Sequence, residues 1–145
     1  MISTKGRYAL RVMIDLAEHE GEGCIPLKDV AERQAISKKY LEIIAKDLVT
    51  GGFITGVSGK GGGYRLSRQP AEYTTGEILE WMEGTLAPVA CLECGAKECP
   101  REQICKTLPM WREFNKMIND FFYGKTLADL VGGQNEPGTL SDIDG

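Results

Sequence analysis

Apolar residues recur at helical spacing through most of the first fifty positions of this 145-residue chain. Each such stretch predicts a helix with one apolar face. The stretches are residues 3–20, 27–34 and 37–49. Ser3 or Thr4 is a suitable N-cap for the first helix, and Ser37 is one for the third, because a side-chain oxygen can accept from the exposed amides of the first turn.

The pattern then changes to that of a short hairpin. Phe53 to Val57 and Tyr64 to Ser67 predict two strands, and the loop from Ser58 to Gly63 contains four glycines. Two helices joined by the short turn Ala35-Ile36 and followed by a hairpin have the order of a winged helix-turn-helix. In that arrangement the second helix of the pair lies in the major groove of DNA.

The second half of the chain predicts three more helices. One runs from Thr74 or Thr75 to Gly84, a long one runs from about Pro109 to Tyr123, and Thr126 caps a short one over Leu127–Val131. The long helix carries a broad apolar stripe made of Met110, Trp111, Phe114, Met117, Ile118, Phe121 and Phe122. Packing of this stripe on the chain's own DNA-binding part, residues 1–70 (the head), is one explanation. Homodimerisation is favoured, because a DNA operator with two half-sites about one helical turn apart needs two heads.

The predicted fold is therefore mainly α with a small two-stranded β wing: a winged helix-turn-helix with a long C-terminal dimerisation helix. We expect four regions along the chain. They are a DNA-binding domain over 1–84, a cysteine-rich sensor loop over 85–105, dimerisation helices over 106–131 and a disordered tail over 132–145.

Charge is unevenly distributed along the chain. The formal net charge is −4. Residues 1–70 contain 11 Lys and Arg against 8 Asp and Glu, whereas residues 71–145 contain 6 against 13. The basic excess coincides with the predicted DNA-reading head, and local charge matters more than the overall balance for a small footprint on DNA.

The outward face of the predicted recognition helix carries the candidate DNA contacts. Lysines can neutralise phosphates, hydroxyls can donate to phosphates or base edges, and Glu42 can accept from cytosine N4. The helix residues are Ser37, Lys38, Lys39, Tyr40, Glu42 and Lys46. Lys60 lies in the glycine-rich wing, which can approach the minor groove closely. A solvated helix face is the alternative interpretation of the lysines. A nucleotide-binding P-loop is the other interpretation of the wing glycines, and their spacing does not match it.

Four cysteines fall within fifteen residues: Cys91, Cys94, Cys99 and Cys105. Thiolates this close can converge on one metal centre, and an iron–sulfur cluster, 2Fe-2S or 4Fe-4S, is favoured over a zinc site or a thiol-disulfide switch. No apolar run approaches the roughly 20 residues of a membrane span. We therefore expect a cytoplasmic protein without membrane contact, in which a cysteine cluster is more often metal-binding than disulfide-bonded.

Three motifs resemble those of the Rrf-type winged helix-turn-helix regulators, the family that includes IscR, NsrR and CymR. They are Ser3-Thr4-Lys5-Gly6-Arg7-Tyr8-Ala9, Ile36-Ser37-Lys38-Lys39-Tyr40-Leu41-Glu42 and Gly61-Gly62-Gly63-Tyr64. The resemblance covers about residues 1–131. It implies a homodimeric transcription factor, commonly with an iron–sulfur cluster before a long dimerisation helix. By the same resemblance Thr4, Lys5 and Tyr8 would grip the DNA backbone, and Ser37, Tyr40 and Glu42 would read DNA.

Some positions depart from the family pattern. Ser58 stands where IscR-like members have an arginine before the wing glycines. Leu108 stands where IscR has a histidine ligand, and Arg7 where NsrR-like clusters can take an aspartate. The fourth ligand would then be Cys94 or an exchangeable external group.

Two functional hypotheses follow. The first is a repressor whose affinity for double-stranded DNA is set by the cluster. The second is a CymR-like regulator without a cluster, controlled by a protein partner such as a metabolic enzyme or by thiol oxidation. A thiol oxidoreductase using Cys91-x2-Cys94 is disfavoured, because the expected strand–helix alternation is missing. We expect no enzymatic activity.

Overall fold

A computed structural model describes residues 2–93 and 103–132 of the chain. It confirms the predicted fold class, with six α-helices, two short 3-10 helices and one antiparallel hairpin among these residues. The elements are α1 Thr4–Glu18, α2 Leu27–Gln34, α3 Lys38–Thr50, β1 Ile54–Val57, β2 Gly63–Leu66, α4 Thr75–Glu83, α5 Leu108–Tyr123 and α6 Leu127–Gly132. Of the predicted tail 132–145, only Gly132 is described, as the last residue of α6.

Side-chain caps begin the helices where the sequence predicts them. The Ser3 hydroxyl accepts from the amide of Gly6 at 3.1 Å, and the Ser37 hydroxyl accepts from the amide of Tyr40 at 3.2 Å. Thr74 and Glu77 bond each other's amides in a reciprocal capping box. These caps fix the register in which each helix turns its apolar face to a shared core. Its most deeply buried aliphatic residues include Val12, Met13, Leu16, Leu41, Ile44, Leu48 and Ile78.

One tyrosine fixes the base of the wing. The buried Tyr73 hydroxyl donates to the Phe53 carbonyl at 2.6 Å and accepts from the amides of Ser67 and Arg68 at 3.0 and 2.9 Å. It thereby joins the residue before β1 to the two residues after β2. The wing is also tied to the segment between α1 and α2, where Ile25 and Tyr64 exchange two backbone hydrogen bonds.

The α1–α2 pair is locked by a buried carboxylate that the sequence pattern did not reveal. Asp15 is 1% exposed on the inner face of α1. Arg33 donates to both of its oxygens, at 3.0 and 2.8 Å, and the Gln34 amide donates at 3.0 Å. Burial by itself would raise the pKa of Asp15, but these hydrogen bonds and the charge of Arg33 outweigh it, so the pKa lies below its usual value.

Asp15→Asn should therefore destabilise the head by about 2 kcal/mol, because the amide cannot replace the charge-assisted bonds of Arg33. A lowered pKa means that the carboxylate stabilises the fold above the unfolded pKa, about 3.9. That contribution is lost as the pH falls through the folded pKa. Urea melts between pH 3 and 7 should show a weaker acid dependence for the variant. Glu18→Gln, an exposed site on the same helix, is the control. Equal urea midpoints for wild type and Asp15→Asn at pH 7 would contradict this role.

The structure divides the predicted stripe of α5 into two faces. Ile118 and Phe122 are half-buried beside Ile2 and Leu86. The other face is open to solvent and carries Met110, Phe114, Met117 and Phe121, which are 37–61% exposed. Part of the stripe therefore lies against the start of the chain and the segment after α4, and part of it is left uncovered. Within the described ranges, no helix is long and apolar enough to cross a membrane.

Candidate DNA interface and the adjoining cysteine segment

The second helix of the helix-turn-helix presents the predicted polar face. Ser37, Lys38, Lys39, Glu42 and Lys46 are exposed, whereas Tyr40 is half-buried. Its opposite face is anchored by Leu41, Ile44, Ala45 and Leu48, all fully buried. The hydroxyl oxygen of Ser37 is occupied as the N-cap acceptor, which leaves its proton available to donate.

The start of α1 lies against the same helix. The rings of Tyr8 and Tyr40 contact each other with centroids 5.7 Å apart, and the Arg11 guanidinium lies 5.1 Å from the centre of the Tyr8 ring. Thr4 is exposed and accepts from Arg7 at 3.3 Å. The two predicted tyrosines therefore hold α1 and α3 together, with only part of each ring left for a ligand.

Lys5 forms an ion pair with Asp47 of α3. The Asp47 carbonyl also accepts from the indole Nε1 of Trp81, on α4, at 2.8 Å. To contact a phosphate, Lys5 would have to exchange or share its carboxylate partner. Asp47 and Trp81 were not predicted as site residues, because no local pattern in the sequence indicates a contact between residues 34 positions apart.

The wing tip is exposed and built from close backbone contacts. Lys60 is exposed, as are Ser58 and Gly59. A Cβ at Gly62 would lie 2.2 Å from the Val57 carbonyl, and one at Gly63 would lie 2.3 Å from that of Ile25. Glycine is therefore required at both positions, and the tip projects Lys60 from a tightly folded loop.

The described part of the cysteine segment connects α4 to α5. Leu86 is buried, and Cys91 is exposed in a short 3-10 turn over Ala90–Leu92. Cys105 is half-buried, with its Sγ 3.4 Å from Thr107 Oγ1, three residues before α5 begins. Cys94 and Cys99 lie outside the described residues. Thiols on both flanks of the segment are the donors that iron–sulfur clusters use, so the donor chemistry fits such a cluster.

Glu83 joins the beginning of this segment to the start of α1. Its carboxylate accepts from both the amide and the hydroxyl of Ser3, the latter at 2.7 Å. A Cβ at Gly6 would lie 3.2 Å from this carboxylate, so a small residue there permits the contact. Trp81, on the same turn, bonds the Asp47 carbonyl of α3. The end of α4 therefore holds both α1 and α3, the two helices of the candidate DNA interface. Glu83 was also missed, because its partner is 80 positions away.

Two side-chain contacts fix α4 to α5, one at the first residue of α4 and one in its last turn. The Thr75 hydroxyl donates to the Phe122 carbonyl at 2.8 Å, and the Tyr123 hydroxyl donates to Glu80. Burial and the carboxylate of Glu80 raise the pKa of Tyr123 to about 12, so its hydroxyl stays protonated as the donor. The helix α4 therefore connects the head to α5 as well as to the cysteine segment.

A helix pair with a lysine-bearing second helix, followed by a glycine-tipped hairpin, defines a winged helix-turn-helix protein. Comparison with known families narrows this class. The family described as Rrf2, iron-dependent transcriptional regulator, matches residues 2–133. The chain belongs to this family of transcriptional regulators.

Individual relatives agree with this assignment. The transcriptional regulator IscR of Serratia proteamaculans is 36% identical over 134 residues, which cover 92% of this chain and 80% of the relative. Two solved structures are similar. CymR, the global cysteine regulator of B. subtilis, is 33% identical with a TM-score of 0.75, covering 93% of this chain and 98% of that one. IscR of T. potens is 32% identical with a TM-score of 0.72, covering 97% and 96%. The Serratia relative is named as a helix-turn-helix transcriptional regulator, in agreement with the family.

Proposed function

We propose that the protein is a homodimeric, sequence-specific repressor whose affinity for double-stranded DNA is controlled by an iron–sulfur cluster on Cys91, Cys94, Cys99 and Cys105. One observation carries this proposal. The cysteine segment begins directly after a helical turn that is hydrogen-bonded to both helices of the candidate DNA interface. A regulator must work at the chromosome, so a cytoplasmic location is part of the proposal.

The DNA contacts divide by chemistry. Lys38, Lys39 and Lys46 are exposed cations that would bind phosphates, and Lys60 on the wing would do the same in or beside the minor groove. Ser37 can donate to a base edge or a phosphate. Glu42 repels phosphates, so its place on this face is best explained by acceptance from cytosine N4.

The open face of α5 supports a dimer of this chain. Met110, Phe114, Met117 and Phe121 recur at spacings of four, three and four, which places them on one side of the helix. Pairing of two such stripes would remove these side chains from water. It would also supply the second recognition helix that a two-half-site operator requires.

The cluster would control the affinity for DNA through α4. When bound, the cluster supplies a redox-sensitive cross-link among the four thiolates. A change in the path of the segment after Gly84 would move the last turn of α4. There Glu83 holds the N-cap of α1, and Trp81 holds the Asp47 carbonyl of α3. The spacing and tilt of the two recognition helices would change with it.

Removing the carboxylate of Glu83 should uncouple the two sites. In Glu83→Gln we expect unchanged iron content but a much smaller difference in DNA affinity between loaded and chelator-stripped protein. One charged acceptor of two hydrogen bonds has become a neutral amide. Fluorescence anisotropy on duplexes selected from a random library measures both affinities. Glu113→Gln, an exposed site on α5, should keep the wild-type difference. An undiminished difference in Glu83→Gln would remove α4 from the mechanism.

A regulator without a cluster, controlled by a protein partner such as a metabolic enzyme or by thiol oxidation, is the second candidate. The similarity to the B. subtilis cysteine regulator and the exposed thiol of Cys91 favour it. An absorption spectrum of anaerobically purified protein, with counts of iron and sulfide, separates the two. Visible absorption with matching iron and sulfide supports the cluster, and colourless protein with a titratable thiol supports the alternative.

A further inference from the structure

The recognition helix exposes one aliphatic side chain amid its polar face. Ile43 is 54% exposed, while its neighbour Ile44 is fully buried. A single exposed aliphatic residue is ordinary on a protein surface. Ile43, however, lines a shallow depression of about 390 Å³ together with four residues of the candidate DNA interface. These are Lys5, Ser37, Lys39 and Tyr40.

The charges around Ile43 indicate what would cover it. Lys39 precedes it by four residues and Lys46 follows it by three, so the three side chains share one face of α3. Both lysines are exposed cations. A DNA duplex whose phosphates are bound by these two lysines would place the edges of its bases against Ile43. The isoleucine side chain can neither donate nor accept a hydrogen bond there.

In the major groove, the edges of the bases present nitrogen and oxygen donors and acceptors at every pair, and a single apolar group, the C5-methyl of thymine. We infer that Ile43 is a specificity-determining residue that packs against a thymine methyl in each half-site of the operator. This inference rests on the proposed DNA-binding function and adds to it a base preference at one position. The surrounding polar contacts would orient the helix, and Ile43 would select the base by apolar contact.

The test uses the full chain and an operator isolated by wild-type protein from random duplexes. Each thymine is then replaced in turn by deoxyuridine, which removes only the C5-methyl group. For wild type, the substitution should weaken binding by about fourfold at one thymine per half-site, the effect of leaving one methyl unburied. Ile43→Ala should bind the thymine operator more weakly and should show no further loss with deoxyuridine at that position.

Val49→Ala is the matched control. Val49 is another exposed aliphatic residue of α3, 41% exposed, but it lies six residues from Ile43 and on a different side of the helix. This variant should keep the full wild-type sensitivity to deoxyuridine. Thermal melts by circular dichroism should show both variants folded, because neither residue belongs to the buried core.

Two results would overturn the inference while leaving the proposed function intact. One is sequence-selective binding by wild type that is insensitive to deoxyuridine at every thymine. The other is an equal deoxyuridine penalty in wild type and Ile43→Ala. If wild type selects no duplex from the random library, the proposed function fails and the inference fails with it.

Discussion

Replacing Cys99 or Cys105 with alanine should abolish the visible absorption of the anaerobically prepared protein. The proposed cluster takes the thiolates of both residues as ligands, and alanine offers no donor in their place. Cys105 lies half-buried just before α5, where a ligand would be held by the helix that follows. The measurement is the absorption spectrum together with iron and sulfide per chain. Cys24→Ala, a half-buried thiol in the segment between α1 and α2, is the control and should retain full absorption.

The Cys94→Ala variant tests whether Cys94 is the fourth ligand of the cluster. If it completes the site, Cys94→Ala should lose the cluster or hold it with visibly lower stability during anaerobic dialysis. A full and equally stable cluster in that variant would place the fourth ligand elsewhere. Wild-type protein made with iron and sulfide available that contains only zinc, or no metal, would defeat the cluster hypothesis. The partner-controlled alternative would then replace it.

DNA affinity should fall steeply with salt. If the proposed dimer neutralises about 6–10 phosphates, its affinity for DNA should fall by roughly 10³–10⁵-fold between 50 and 200 mM salt. Binding releases the cations condensed on the DNA, and this release becomes less favourable as the salt concentration rises. Lys38→Ala and Lys39→Ala should each weaken binding to all duplex sequences alike. Each should also make the slope of log affinity against log salt less steep by about 2, because the dimer loses one phosphate contact in each of its two protomers. Anisotropy titrations at four or more salt concentrations give these slopes.

Lys116→Ala is the matched control for the lysine variants. Lys116 is a highly exposed lysine on α5, paired with Asp120 at 2.5 Å and outside the head. Its removal should leave the slope unchanged. A salt-independent affinity of wild type, or equal slopes for wild type and Lys38→Ala, would reject the assignment of the α3 face as the phosphate-binding surface.

Local signals in the sequence were enough for the elements of the head. Ser37 before a run of helically spaced apolar residues predicts both the start and the inner face of α3, since a cap and a period act within a few residues. The contacts that join the elements were not predictable in this way. Asp15 was not expected to be buried, because its partners Arg33 and Gln34 come from another helix.

The site was predictable only in part for the same reason. The polar residues of α3 could be placed on its outer face from their spacing, and the structure exposes them there, with Tyr40 half-buried. The spacing of the apolar residues also places Ile43 outside the inner face of α3, but its aliphatic side chain has no polar group that would mark it as a DNA contact. The division of the α5 stripe, by contrast, depends on where Leu86 and the end of α4 lie.

The hydroxyl of Tyr73 has a consequence for how the wing can respond to DNA. Three hydrogen bonds to one phenolic oxygen hold the root of the hairpin within the core, whereas the exposed tip from Ser58 to Gly61 lies beyond them. If the tip enters a groove as proposed, the conformational entropy lost would be confined to these few residues, at about 1–2 kcal/mol for each one ordered. The root of the hairpin and the core behind it would stay in place, because the Tyr73 hydroxyl holds them together.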